Sequence, residues 1–171
     1  VIDHYFVSGC SGLVTLNFPS SASSQVTEIN GNFLWGCTSL MALDLSAMSR
    51  VTKVGGCFVS TCTGLTTIDL SPLSNITTVP SSFLFECSGL TTIDLSPLSR
   101  NVLDVQSYFL YGCSGLTSID LSPLSKVTRI YSNFLMGCSS LQTINLSSLR
   151  EVWRMDRHFM TGCSSLKAID L

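Results

Sequence analysis

One phrase returns seven times along this chain: Phe6-Val7-Ser8-Gly9-Cys10-Ser11-Gly12-Leu13 recurs as Phe83-Leu84-Phe85-Glu86-Cys87-Ser88-Gly89-Leu90 and as Phe159-Met160-Thr161-Gly162-Cys163-Ser164-Ser165-Leu166. The matching cysteines, Cys10, Cys37, Cys62, Cys87, Cys113, Cys138 and Cys163, stand 25 to 27 residues apart. A repeat of that length is too short to close a core of its own. It buries an apolar side only by stacking on its neighbours, which is the definition of a solenoid. The repeat runs from end to end, so residues 1–171 read as one domain. Val1 falls within a repeat and Leu171 within a strand pattern, so the chain is expected to be an uncapped segment of a longer array.

Each coil divides into three sides. In Leu65-Thr66-Thr67-Ile68-Asp69-Leu70 the apolar residues alternate around Asp69, the period of a short strand with one buried face, and stacked coils predict a parallel sheet. Ser71-Pro72 ends that strand, because proline brings no N–H to a ladder. Ile76 and Val79 supply the next inward pair. Ser81-Ser82 before Phe83-Leu84 predicts a single helical or 3₁₀ turn ending near Cys87, with Gly36, Gly112, Gly137 and Gly162 at the matching exits.

The segment Val127-Thr128-Arg129-Ile130 through Phe134-Leu135-Met136-Gly137-Cys138-Ser139-Ser140-Leu141-Gln142-Thr143-Ile144-Asn145-Leu146 resembles the leucine-rich repeat of the BspA-like family nearly position for position. One departure is systematic: Phe-Leu stands where that family has Ala-Phe, as at Phe33-Leu34 and Phe109-Leu110, so the interior of the coil is expected to be rearranged locally. The resemblance implies an α/β, right-handed leucine-rich repeat solenoid. Its concave side would be a parallel sheet of about seven short strands, and its convex side short helical or 3₁₀ turns and irregular chain. It also implies a role in adhesion or protein recognition, and it brings no catalytic residue and no cofactor.

Eight cysteines would suggest a disulfide or zinc framework if they were clustered or paired. In a stacked row they point the same way, which disfavours a disulfide dihedral and cannot converge four sulfurs on one metal. Buried, reduced packing residues are the expectation. Cys57, outside the row, is the expected exposed thiol.

Two outward rows are candidates for partner binding. On the strand the row is Asn17, Asp44, Asp69, Asp94, Asp120, Asn145 and Asp170, which holds five of the eleven acids. Carboxylates ~5 Å apart repel by roughly 1 to 3 kcal/mol. Compensation could come from hydroxyls at Thr67, Thr92 and Ser118, from raised pKa values, from cations, or from a basic ligand. The row is therefore either a solvated hydrogen-bond ladder or a groove for a cationic partner. The second row lies two residues after each repeat phenylalanine: Ser8, Trp35, Ser60, Phe85, Tyr111, Met136 and Thr161. Trp35, Phe85, Tyr111 and Met136 form either an aromatic ridge for a partner or a set of partly covered side chains leaning on the core.

Charge excludes more than it suggests. With nine bases, eleven acids and a net charge of −2, the chain has no polybasic footprint for nucleic acid. Residues 1–86 carry two bases against five acids, net −3, and residues 87–171 carry seven against six, net +1. That split could orient a partner, although Glu151 and Asp156 can neutralise nearby bases. Apolar residues come in short groups, so no membrane insertion is expected. His4 and His158 would lie ~29 Å apart at the inter-strand spacing, too far to share a site, and no phosphate loop or nucleophile motif is present. The chain reads as no enzyme. Two functions remain: a recognition module for a protein or glycan ligand, or a structural element that self-associates through uncapped ends. Sparse charge, abundant Ser and Thr and the resemblance point to the cell surface or secretion, with free thiols as the argument for the cytoplasm.

Overall fold

In the computed structural model, which describes residues 1–18 and 25–171, the chain winds into a solenoid of about six turns. Ten strands of two or three residues are described: β1 (Thr15–Leu16), β2 (Glu28–Ile29), β3 (Ala42–Leu43), β4 (Lys53–Val54), β5 (Thr78–Val79), β6 (Asp104–Val105), β7 (Arg129–Ile130), β8 (Thr143–Asn145), β9 (Arg154–Met155) and β10 (Ala168–Asp170). Every pairing is parallel and joins equivalent residues of successive coils.

The strands form two rows where one was expected. The longer row follows the Ile76/Val79 side of the coil, as β5-β6-β7-β9 and as β2-β4 with Ile2 bridged to Ile29. The gap between β4 and β5 has a covalent cause. At the equivalent place other coils donate a backbone N–H to the coil before, as Gly55 does to Ile29 at 2.7 Å and Gln106 does to Val79 at 3.0 Å. Pro80 occupies that place in its own coil and has no N–H to give.

The side predicted from Leu65–Leu70 is laddered only at the two ends, as β1-β3 and β8-β10. In the three central coils it keeps single rungs, such as Thr91 N–H to Thr66 O at 3.1 Å. The backbone has already turned at Leu70 (φ −93°, ψ 0°) and Leu95 (φ −93°, ψ −2°). There it enters 3₁₀ turns at Ser71–Leu73, Ser96–Leu98 and Ser122–Leu124, with proline in the first turn, where its missing N–H costs nothing. Ser46–Met48 makes the same turn without proline. No α-helix occurs among the described residues, so the α/β expectation narrows to short strands and 3₁₀ turns.

The third side corrects the sequence reading. Where a helical turn was predicted before each cysteine, every second residue takes a positive φ: Ser82, Leu84 and Glu86 have φ of 58°, 55° and 53°. Such values are costly for residues other than glycine, and for β-branched Val59 (φ 51°) especially so. Neighbouring coils hold them in place. The Ser82 N–H donates to Ser107 O at 2.9 Å, that of Leu84 to Phe58 O at 3.0 Å and that of Glu86 to Tyr111 O at 2.6 Å, so the bonds run alternately forward and back along the stack.

The core is a set of rows. Phe33, Phe58, Phe83, Phe109 and Phe134 are each 0% exposed, and their rings stack between Phe6 and Phe159 at centroid spacings of 4.9 to 6.3 Å. The Leu34, Leu84, Leu110 and Leu135 row and the Cys37 to Cys138 row are buried beside it. The first residue of each Phe-Leu pair thus lies in one continuous ring stack, and the second position of the pair in the aliphatic row beside it.

Candidate functional site

The cysteines come first, because their chemistry decides whether they form a site. All eight are free. Each thiol of the inner row donates to a carbonyl of the coil before: Cys87 to Val59 O at 2.9 Å, Cys113 to Leu84 O at 3.2 Å and Cys138 to Leu110 O at 3.2 Å. Those carbonyls belong to the left-handed residues of the turn, so the thiol row fastens the backbone that the turn strains. Burial pushes the Cys87 and Cys138 thiols up to about 12, and those of Cys62 and Cys113 up as well. A thiol so far from ionising is a poor nucleophile and a poor metal ligand. Exposure differs from expectation at three positions. Cys57 is half-buried, and in the row Cys163, in the last coil, is half-buried too, while Cys10, in the first coil, faces solvent.

The aspartate row is exposed, and its members from Asp44 to Asn145 share one kind of partner. The carboxylates of Asp44, Asp69, Asp94 and Asp120 accept the backbone N–H of Ser46, Ser71, Ser96 and Ser122, all at 2.8 Å. Asn145 does the same with Ser147 at 2.8 Å through its amide oxygen. Asp94 and Asp120 also accept the hydroxyls of Ser96 and Ser122 at 2.9 Å. The compensation sought at Thr67, Thr92 and Ser118 thus comes from the serine two residues on, in the turn that starts each 3₁₀ segment. The carboxyl groups of Asp44 and Asp69 move opposite to one sequence-based option. The Ser46 backbone N–H, then its hydroxyl, hold Asp44 below the usual carboxylate range, and the Ser71 hydroxyl and N–H do so for Asp69, outweighing repulsion from Asp44.

The aromatic row divides. Trp35 is exposed, Met136 is half-buried, and Phe85 and Tyr111 stack face to face at 4.7 Å and 5°. Tyr108, which the sequence reading did not single out, stands edge-on to both rings, 6.0 Å from Phe85 and 5.8 Å from Tyr111 at 69° and 65°. The three rings make two walls of a corner on the outer surface. Tyr108 precedes Phe109 at the left-handed start of its turn (φ 65°), which aims it outward. The row before each phenylalanine also contains Asn32, Ser82 and Asn133, so only the position, not the repeat, pointed to this tyrosine.

Charged side chains pair across coils on the longer strand row. Glu28 meets Lys53 at 3.6 Å, and Asp104 meets Arg129 Nε at 3.1 Å, while the Arg129 guanidinium also lies 5.6 Å over the Tyr131 ring. Arg154 pairs with Asp156 at 2.8 Å within its own coil. Exposed pairs of this kind contribute little to stability. His4 lies in the first coil and His158 in the last. Among the described residues, no group of three or more His, Cys, Asp or Glu is arranged to hold a metal ion, and no helix is long and apolar enough to cross a membrane.

The fold has a counterpart among solved structures. A leucine-rich repeat protein from Bacteroides ovatus superposes with a TM-score of 0.63 at 21% identity, over 95% of this chain and 50% of that one. A functional domain of InlJ from Listeria monocytogenes, which includes a cysteine ladder, gives a TM-score of 0.25 at 18% identity, over 92% of this chain and 50% of that domain. The chain thus spans about half the length of these solved chains. No curated protein matches it. The BspA-type leucine-rich repeat region matches residues 1–102 and 74–171 in six copies, and the chain belongs to that family.

Proposed function

We propose that the chain is a non-catalytic recognition module that holds a protein or glycan partner on its outward rows. Trp35, Phe85, Tyr111 and Met136, joined by Tyr108, form the principal contact, and Asp44, Asp69, Asp94, Asp120 and Asn145 the second face. The observation that carries this reading is the outer ring corner. The repeat does not require aromatic residues there, since Ser8, Ser60 and Thr161 fill the same position in other coils. The corner is held on a backbone tied to both neighbouring coils, so little ordering cost is left for binding. Aromatic side chains on a fixed surface are the usual anchors of interfaces. The solenoid is taken as right-handed with the aspartate row on its concave side. It works at the cell surface or after secretion, in keeping with its low charge and Ser/Thr-rich exterior.

The test is selection of a displayed random peptide library and a glycan array on immobilised chain, repeated with Phe85→Ser/Tyr111→Ser and with Asp69→Arg/Asp94→Arg. Ligands held by the wild type and lost with either pair support recognition and name the face. Association with copies of the same chain alone, indifferent to both pairs, would contradict it and favour the structural array element.

A further inference from the structure

The aromatic corner has a charged neighbour whose position is unusual. The residue just before each repeat cysteine takes a left-handed conformation, and glycine fills it in five of the seven coils: Gly9, Gly36, Gly112, Gly137 and Gly162. Thr61 and Glu86 are the exceptions. Glu86 is the charged one, and it follows Phe85 directly. A Cβ placed on Gly112 would lie 3.0 Å from Glu86 Cγ, so the Glu86 side chain runs across the glycine that follows Tyr111 in the next coil. Glu86 and Gly112 are the residues that follow Phe85 and Tyr111, so this contact runs beside the backbone that carries the two stacked rings. Glu86 is exposed, and none of the ion pairs among the described residues involves it.

We infer that Phe85, Tyr108, Tyr111 and Glu86 form a binding site for a cationic side chain, an arginine or lysine of a partner protein. The inference rests on the recognition reading and names the chemistry of that site. Ring faces carry the negative part of the aromatic quadrupole; the faces of Phe85 and Tyr111 that meet at 4.7 Å cover each other, so the guest is placed on the ring surface that remains beside Tyr108, which is 40% exposed. The carboxylate beside them supplies the full charge that a neutral aromatic site lacks. A sugar or an apolar side chain would stack on the rings but leave Glu86 without an opposite charge. The same molecule already uses this contact internally, where the Arg129 guanidinium sits over Tyr131 and is held by Asp104. Residues 1–86, which end at Glu86, carry a net −3 that favours approach of a basic segment.

The experiment is a titration followed on the ring resonances of Phe85, Tyr108 and Tyr111, with blocked arginine amide as probe and blocked citrulline amide as its neutral isostere. Saturable shifts with arginine, absent or far weaker with citrulline, are expected. Glu86→Gln should weaken arginine about fivefold or more, as a cation–π contact deprived of its counter-charge. Equal responses to arginine and citrulline, or an unchanged affinity in Glu86→Gln, would overturn the assignment. If peptides selected on the chain still need Phe85 and Tyr111 in that case, the cationic assignment alone falls. If no selected ligand depends on the rings, the recognition reading falls with it.

Discussion

Two aromatic stacks run through this molecule. The inner one takes a phenylalanine from every coil, and its five central rings are fully buried. The outer one is two rings long, Phe85 on Tyr111 at 4.7 Å, closed edge-on at 65° to 69° by Tyr108, which is 40% exposed. The inner stack is periodic because every coil needs the same filling. The outer stack interrupts the period, and at its edge Glu86 replaces a glycine in a conformation that glycine alone adopts without strain. Strict repetition marks what the fold requires, and departures from it on the surface mark where the coil has been given another task.

That contrast can be broken most readily at Phe83. Phe83→Ala should cost about 3–5 kcal/mol in chemical denaturation, as loss of a buried ring does, and Leu90→Ala about 2–5 kcal/mol. A midpoint unchanged from wild type would remove the inner stack as the source of stability. The thiol row adds a pH dependence. In the unfolded chain a thiol ionises near its ordinary value, whereas the folded Cys87 and Cys138 hold their protons up to about 12. The folded state therefore binds more protons between pH ~9 and ~12, and stability, complete below that window, falls by about 1.4 kcal/mol per pH unit for each such thiol. Flat stability across that window would show that the inner cysteines ionise freely.

Smaller effects separate the outward rows. Asp94→Ala should cost about 1 kcal/mol, the usual worth of a lost capping bond, whereas Asp94→Asn should be nearly neutral, since Asn145 makes the same 2.8 Å bond. A clear gain in stability from Asp94→Asn would mean that repulsion along the row outweighs the serine bonds. Because those bonds hold Asp44 and Asp69 low, their contribution persists above the ordinary carboxylate range and is lost as pH falls through the lowered values. Glu86→Gly should stabilise the fold by about 1 kcal/mol by relieving a left-handed residue, while weakening the arginine response about fivefold or more, as Glu86→Gln does. Loss of stability instead would make Glu86 a structural residue.

Much of the inner stack was legible in the sequence, because burial of Phe and Cys follows from a period that only stacking can satisfy. The Asp-x-Ser spacing was also there to read. Its meaning as a turn capped by its own serine emerges only once the backbone is seen to bend at Leu70. The alternating positive φ around Leu84 was not legible. Leucine carries no signal for a positive φ, and the bonds that hold it come from coils about 25 residues away. One signal was available and missed. Glycine before the cysteine in most coils marks a left-handed position, and against that background Glu86 stands out. Tyr108 could not be found this way, because its row varies from coil to coil and only the fold brings it against Phe85 and Tyr111.

The most direct measurement is the denaturation midpoint and peptide binding of Phe85→Ser/Tyr111→Ser beside those of Phe83→Ala. The outer pair should leave the midpoint close to wild type and abolish the binding of selected peptides, while Phe83→Ala unfolds at far lower denaturant. An outer-pair variant that loses as much stability as Phe83→Ala, or that keeps its ligands, would contradict the distinction between the two stacks.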